Sequence, residues 1–258
     1  MDNLRACKTA TLLYDEDFSA CATCEQKPWI SLFFDGTGNN QKIDEPLNKL
    51  SNIARLYLGH RDEPYLISRF YYPGVGTPMD ASNPSWVDKI RDSEMIGGAM
   101  GLGWDARLEM AETDFRNSLK FNHKVKRIDV AVFGFSRGAT LARAFVNRLL
   151  AKCTFKDNVP HWPCPTAVDG ESAPLHFRFL GLFDSVESVG LPAHNLSSMQ
   201  TEIPEQVDRC LHFVASHELR ACFPLAPVRN SAGSHEEIVF PGGHSDVGGG
   251  YRPNEQAR

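Results

Sequence analysis

The sequence predicts an α/β fold with a mostly parallel central sheet flanked by helices. Three observations predict it. Short, almost continuously apolar runs such as Trp29 to Phe34 (WISLFF) and His176 to Phe183 (HFRFLGLF) read as strands buried on both faces. Between them lie segments whose apolar residues recur at helical spacing. Finally, the runs end in Gly-rich or acidic loops, which is where open parallel sheets place ligand sites.

Taken in order, residues 1 to 27 are polar and mixed and are expected to form an irregular N-terminal arm, with one domain over 28 to 258. The strand at Trp29 to Phe34 stops abruptly in Asp35-Gly36-Thr37-Gly38-Asn39-Asn40. A phosphatase-like Asp-x-Asp-Gly-Thr is excluded there, because Phe33 stands where the first Asp would have to be. The loop is expected to offer backbone N–H groups near Gly36 and Thr37 to a developing oxyanion, with Asp35 in support. A simple turn after a strand is the alternative.

Leu47 to Leu58 places Leu47, Leu50, Ile53, Ala54 and Leu58 on one helical face, and Leu66 to Tyr72 reads as the second strand. Residues 77 to 103, with Met79, Trp86, Met95, Ile96 and Met100, are expected to form an irregular passage or apolar lid. Trp104 to Phe121 resumes helical spacing.

Arg127 to Arg148 is the stretch around which the chain is organised. Ile128, Val130, Val132, Phe133 and Phe135 form a strand. Gly134-Phe135-Ser136-Arg137-Gly138 follows, and a helix carries Leu141, Ala142, Ala144, Phe145 and Leu149. Gly-x-Ser-x-Gly between a strand and a helix is the pattern of a nucleophile elbow, with Gly134 and Gly138 small enough for a tight turn. An anion cradle fits less well, since no third Gly stands at dinucleotide spacing and no Gly-Lys-Ser/Thr follows. The N–H of Arg137 would complete the oxyanion site.

Residues 153 to 175 are expected to be a loop or insertion. The strand ending at Phe183 presents Asp184, and a flexible connection is expected over 190 to 198. Between Val207 and Phe223 lie His212 and His217, either of which could serve as a catalytic base, but His212, inside an apolar run, reads as a packed core histidine, and His217 as part of a surface ion pair with Glu218 and Arg220. After a last strand at Ile238 to Phe240, the Gly-flanked His244 lies in a loop. The chain order Ser136, Asp184, His244 is that of an α/β hydrolase, with Asp246 either bracing the His loop or replacing Asp184. His244 and Asp246 as metal ligands would need a second pair, and none of suitable spacing is evident.

Composition narrows the function. A net charge of −5 over 258 residues, without dense Lys/Arg runs, excludes an electrostatic footprint for nucleic acid. No run of about 18 apolar residues exists to span a bilayer, and the first residues lack a secretory apolar core, so synthesis in the cytoplasm without a signal peptide is expected. The seven cysteines are scattered, only Cys21 and Cys24 forming a CxxC, and are expected to be structural or incidental thiols. No cofactor and no metal is expected.

Several blocks together resemble one family. FFDGTGNN at 33 to 40, the Gly/Trp-rich lead at 97 to 105, GFSRGATLAR at 134 to 143, FLGLFDSV at 179 to 186, HELRACF at 217 to 223 and FPGGHSDVGGGY at 240 to 251 are similar to the α/β-hydrolase catalytic domain of bacterial type VI secretion phospholipase effectors. The resemblance implies Ser136 as nucleophile, His244 as general base and acid, and Asp184 as the orienting carboxylate. It implies cleavage of phospholipid esters in a rival bacterium's membrane, and delivery by the type VI system into the target periplasm. A secretion-spike protein and a cognate immunity protein are the partners it implies. Because such proteins run on past Gly-Gly-Gly-Tyr, it also implies that these residues are the N-terminal part of a longer protein, or one piece of a nicked one. An esterase on small soluble or acylated substrates, and an inactive hydrolase-fold interaction or delivery domain, are the competing expectations.

Overall fold

A computed structural model describes residues 24–79, 99–186, 200–218, 225–228 and 234–251, with the backbone alone for 99–102. In chain order the elements are β1 (Trp29–Phe34), α1 (Gln41–Asp44), α2 (Asn52–Gly59), β2 (Ile67–Tyr72), α3 (Ala99–Ser118), β3 (Ile128–Phe135), α4 (Arg137–Leu150), β4 (Thr154–Lys156), β5 (Val159–Pro163), β6 (Ser172–Phe183), β7 (Cys210–Ala215), β8 (His235–Phe240) and α5 (His244–Gly248). The expected arm up to residue 23, the middle of the expected lid, the 190 to 198 connection and Arg220 lie outside the described residues.

Six strands run parallel in the order β2–β1–β3–β6–β7–β8. β1 is the seam, since the chain moves to one side of it for β2 and then crosses to the other for β3. Such a reversal opens a crevice at the strand carboxyl ends. Ser136, Asp35 and Asp184 all follow strands at that end.

Alternation along the strands sorts residues to two faces. Ile30, Leu32, Phe34, Val130, Val132, Leu180 and Leu182 face α3 and α4 in the main core, meeting Trp104, Leu108, Phe115, Leu141 and Phe145. The opposite face carries Phe33, Phe133, Phe135 and Phe183, and α2 covers part of it through Ile53 and Tyr57.

Several boundaries differ from the sequence expectation, for local reasons. The helix expected from Leu47 begins at Asn52, because Asn48 turns with φ 52° and Ser51 caps the first turn, its Oγ accepting from the Ala54 N–H at 3.0 Å. α3 starts at Ala99, inside the expected lid. Residues 153 to 175 are not a loop. They hold the antiparallel hairpin β4–β5 and the start of β6. Its two-residue turn, Asp157-Asn158, has positive φ at both positions (50° and 63°), the requirement of a tight hairpin turn. The prolines at 160 and 163 concealed that strand. The expected loop around His244 is the short helix α5.

Candidate active site

The strand-to-helix turn holds Ser136 at φ 58°, ψ −126°. A non-glycine residue there is strained by about 1–3 kcal/mol and persists only where the surroundings dictate it. They do so here by close approach. A Cβ at Gly134 would lie 2.4 Å from the Gly138 carbonyl oxygen, and one at Gly138 would lie 2.3 Å from that of Asp35. The Ser136 N–H donates to the Phe183 carbonyl at 2.9 Å, so the turn is fastened to the strand end that carries Asp184.

Asp184 is itself at positive φ (40°), its N–H donating to Phe213 O at 2.7 Å. Its Oδ1 accepts from the Ala215 N–H at 2.9 Å, and its Oδ2 lies 2.6 Å from His244 Nδ1. Both side chains are buried. A carboxylate at that distance receives the Nδ1 proton, which makes Nε2 the basic nitrogen. The imidazole also lies against Phe135, the residue before Ser136, with ring centroids 4.7 Å apart.

Of the two acids considered for orienting the ring, Asp184 is the one in contact. Asp246 accepts from the Gly243 N–H at 2.7 Å and caps α5. Two residues that the sequence reading placed in a surface ion pair hold this loop from outside. Glu218 Oε2 accepts from the His244 N–H at 3.2 Å, and His217 Nδ1 accepts from the Gly242 N–H at 3.0 Å. His217 is therefore a latch on the His244 loop, and the ion pair expected for it includes Arg220, outside the described residues. His212 is fully buried, as expected; its Nε2 accepts from the Ser185 N–H at 3.0 Å, and burial pushes its pKa down to about 4.

The Gly-rich loop after β1 departs from expectation at one donor. The Gly36 N–H is committed to Asp35 Oδ1 at 2.7 Å, so it is not an oxyanion donor in this arrangement. Gly38 and Asn39 donate to Val75 O and Gly36 O, both at 2.9 Å. The Thr37 N–H is left without an acceptor among the described residues, and the buried Thr37 Oγ1 likewise has no partner. Arg137 begins α4, where the first N–H groups have no intrahelical acceptor.

Asp35 is a buried hub. Besides Gly36 it accepts from Ser51 Oγ at 2.7 Å and Tyr71 Oη at 2.5 Å. Burial pushes its carboxyl up to about 6, partly offset by the hydrogen bonds from Tyr71, Ser51 and Gly36. Ser51 also bridges Gly249 beyond α5, and Asn52 Nδ2 donates to Val247 O at 2.7 Å, so one network joins the Thr37 loop to the His244 loop. Arg107, also unforeseen, backs the loop from below. It is buried and donates to the carbonyls of Pro73, Gly74, Thr77 and Gly103 at 2.6–3.0 Å. Among the described cysteines, burial pushes Cys153 and Cys210 up to about 12, away from thiolate reactivity.

The fold and these side chains define a class: a mixed α/β sheet with helices, whose candidate site lies at the carboxyl ends of its parallel strands. Residues 29–164 and 156–258 match the catalytic-domain model of the T6SS phospholipase effector Tle1-like family. The chain belongs to that family, and the resemblance carried by its motifs is borne out. Among solved structures, an uncharacterized protein from Pseudomonas aeruginosa is similar at 26% identity and TM-score 0.60, over 92% of this chain and 43% of that one. A structure of the Tle1 effector bound to the VgrG spike of the type 6 secretion system is similar at 24% identity and TM-score 0.57, over 89% of this chain and 52% of that one. The chain therefore spans about half the length of these relatives. No curated protein matches it.

Proposed function

We propose that this chain is the catalytic domain of an α/β-hydrolase type VI secretion effector, a serine hydrolase that cleaves carboxylic esters of membrane phospholipids. The observation that carries the proposal is the buried Asp184–His244 pair, 2.6 Å apart and packed on Phe135 beside the strained Ser136 turn.

In the mechanism this supports, the 134–138 turn acts as a nucleophile elbow. His244 Nε2 takes the Ser136 proton as Oγ attacks the ester carbonyl, then returns it to the leaving alcohol. Asp184 holds the ring with Nδ1 protonated and stabilises the imidazolium. The N–H groups of Thr37 and Arg137 receive the oxyanion, each such donor being worth about 3 kcal/mol. Water, activated by His244, then releases the acyl group, and no metal or cofactor enters any step.

Family membership supports delivery by the type VI apparatus. The related effector seen on a VgrG spike supports a spike protein as partner. An immunity protein in the producing cell and a periplasmic site of action follow from the same proposal. The test is fatty-acid release from mixed phospholipid vesicles, followed by mass for both products. Release that disappears with Ser136→Ala is the expected result. Ser136-dependent cleavage of short soluble esters, with no release from vesicles, would replace the phospholipase with a general esterase.

A further inference from the structure

At Asp184 the chain leaves the sheet. With φ at 40° the residue no longer continues β6, so the next amide, that of the fully buried Ser185, must find an acceptor outside the strand ladder. It finds the side chain of His212 on the neighbouring strand β7, with Nε2 at 3.0 Å. The residues around it are tied as closely. Phe183 O accepts from the Ser136 N–H at 2.9 Å, Ser185 O from the Ala226 N–H at 2.8 Å, and Val186 O from Thr140 Oγ1 on α4 at 2.7 Å.

β7 makes three contacts with the turn. Two of them, Phe213 O to the Asp184 N–H and the Ala215 N–H to Asp184 Oδ1, come from backbone and survive any side-chain substitution. The third is the His212 ring. A backbone N–H can only donate, so His212 Nε2 is bare and Nδ1 holds the one proton of the neutral imidazole. That Nδ1 faces Glu237 Oε1 on β8 at 3.5 Å, too long for a strong hydrogen bond but close enough to favour a proton there.

A second proton would turn Nε2 into a donor against the Ser185 N–H. Burial resists this and holds the His212 pKa at about 4, with Glu237 raising it, Arg143 of α4 lowering it and Asp184 raising it. The ring is therefore neutral and in one tautomer wherever the Asp184–His244 pair could work.

We propose that His212 is a positioning residue for that pair: it fixes the backbone next to Asp184, and through Asp184 the direction and tautomer of the His244 imidazole. The inference rests on the reading of Ser136, Asp184 and His244 as a hydrolytic triad. Two histidine–carboxylate pairs then stand in series, Glu237 with His212 and Asp184 with His244, joined by the Asp184–Ser185 peptide.

The test compares three variants on a soluble ester, with circular dichroism and urea midpoints to show that each is folded. His212→Met keeps bulk and removes the acceptor, and kcat is expected to fall about a hundredfold with KM little changed, as for a catalytic group displaced by about 1 Å. His212→Gln places an amide oxygen where Nε2 stood and is expected to restore most of kcat. Cys210→Ala opens space in the buried part of the same strand without touching the turn, and is expected to keep kcat. A folded His212→Met with unchanged kcat overturns the proposal, and so does a fall that Cys210→Ala reproduces or His212→Gln does not reverse.

Imidazole 15N spectra at about pH 8, assigned with His212→Gln and His244→Gln, read the pair without substrate. A bare Nε2 on both rings is expected, with the single tautomer of His244 lost in His212→Met. A proton on His212 Nε2, or a His244 pattern identical with and without His212, overturns the proposal as well. If the unsubstituted chain hydrolyses no ester, the hydrolase reading fails, and the spectra still decide whether His212 places His244.

Discussion

A histidine is a useful base only if one of its nitrogens is fixed, and here Asp184 does the fixing. Asp184→Asn keeps the size of the side chain but can present an N–H to Nδ1, which favours the wrong tautomer. A fall in kcat of about 10⁴-fold with KM little changed is expected, measured on a soluble ester. Ser136→Ala removes the proposed nucleophile and should leave only the residual rate of the proposed oxyanion site, while vesicle binding persists in a flotation assay. The strand-to-helix turn at Ser136 and the loop positions of Asp184 and His244, which meet at 2.6 Å, were legible in the sequence because each follows an apolar run. The commitment of the Gly36 amide was not legible, because it depends on which way the Asp35 carboxylate turns, and that is decided by Ser51 and Tyr71, distant in sequence. The contacts of Glu218 and His217 with the His244 loop were not legible for the same reason: each acts on a backbone N–H group more than twenty residues away.

At the level of elements, the Thr37 loop owes its shape to the segment after β2. The Gly74 N–H donates to Asn39 O at 2.8 Å and the Gly38 N–H to Val75 O at 2.9 Å, while Arg107 on α3 gathers the carbonyls of that segment. Arg107→Leu keeps bulk but strands these buried acceptors, each costing about 1–3 kcal/mol when unpaired. A loss of about 3 kcal/mol in urea denaturation is expected, together with a fall in kcat larger than any change in KM, since the loop that presents the Thr37 N–H would loosen. Unchanged kcat in a folded variant would show that the loop holds its shape without Arg107. The parallel strands with near-continuous apolar runs were readable from the sequence. The β4–β5 hairpin was not, because its strands are short and partly exposed and carry prolines, and the Asp157-Asn158 turn that closes it was the one available signal.

Across the whole molecule, two buried or half-buried carboxyls pull the acid stability in opposite directions. Asp35 has a folded pKa of about 6 against an ordinary 3.8, so the folded chain binds this proton more tightly than the unfolded one. Its contribution is fully present below pH 3.8 and is lost as pH rises through 6; by linkage it amounts to about 3 kcal/mol. Glu112, on α3, behaves the other way. Burial alone would raise its pKa, but hydrogen bonds from Lys152, Arg148 and Arg116 outweigh that and hold it at about 2. Its stabilisation is present above pH 4.5 and disappears as pH falls through 2, and because the three cations are partly exposed it is worth about 1–2 kcal/mol. Stability to urea should therefore increase as pH is lowered from 7 toward 5, then decline below about 4. Asp35→Asn should flatten the first limb and leave the second, and Glu112→Gln should do the reverse. Denaturation midpoints of the three proteins between pH 3 and 8 measure both limbs, and a first limb that survives Asp35→Asn would assign the buried proton elsewhere. The two carboxyls sit on opposite sides of β1, Asp35 joining the loops of the candidate site and Glu112 joining α3 to α4. The gain in stability as pH falls from 7 is thus set by the Asp35 network that joins the Thr37 and His244 loops, and the loss below about 4 by the separate contacts of Glu112.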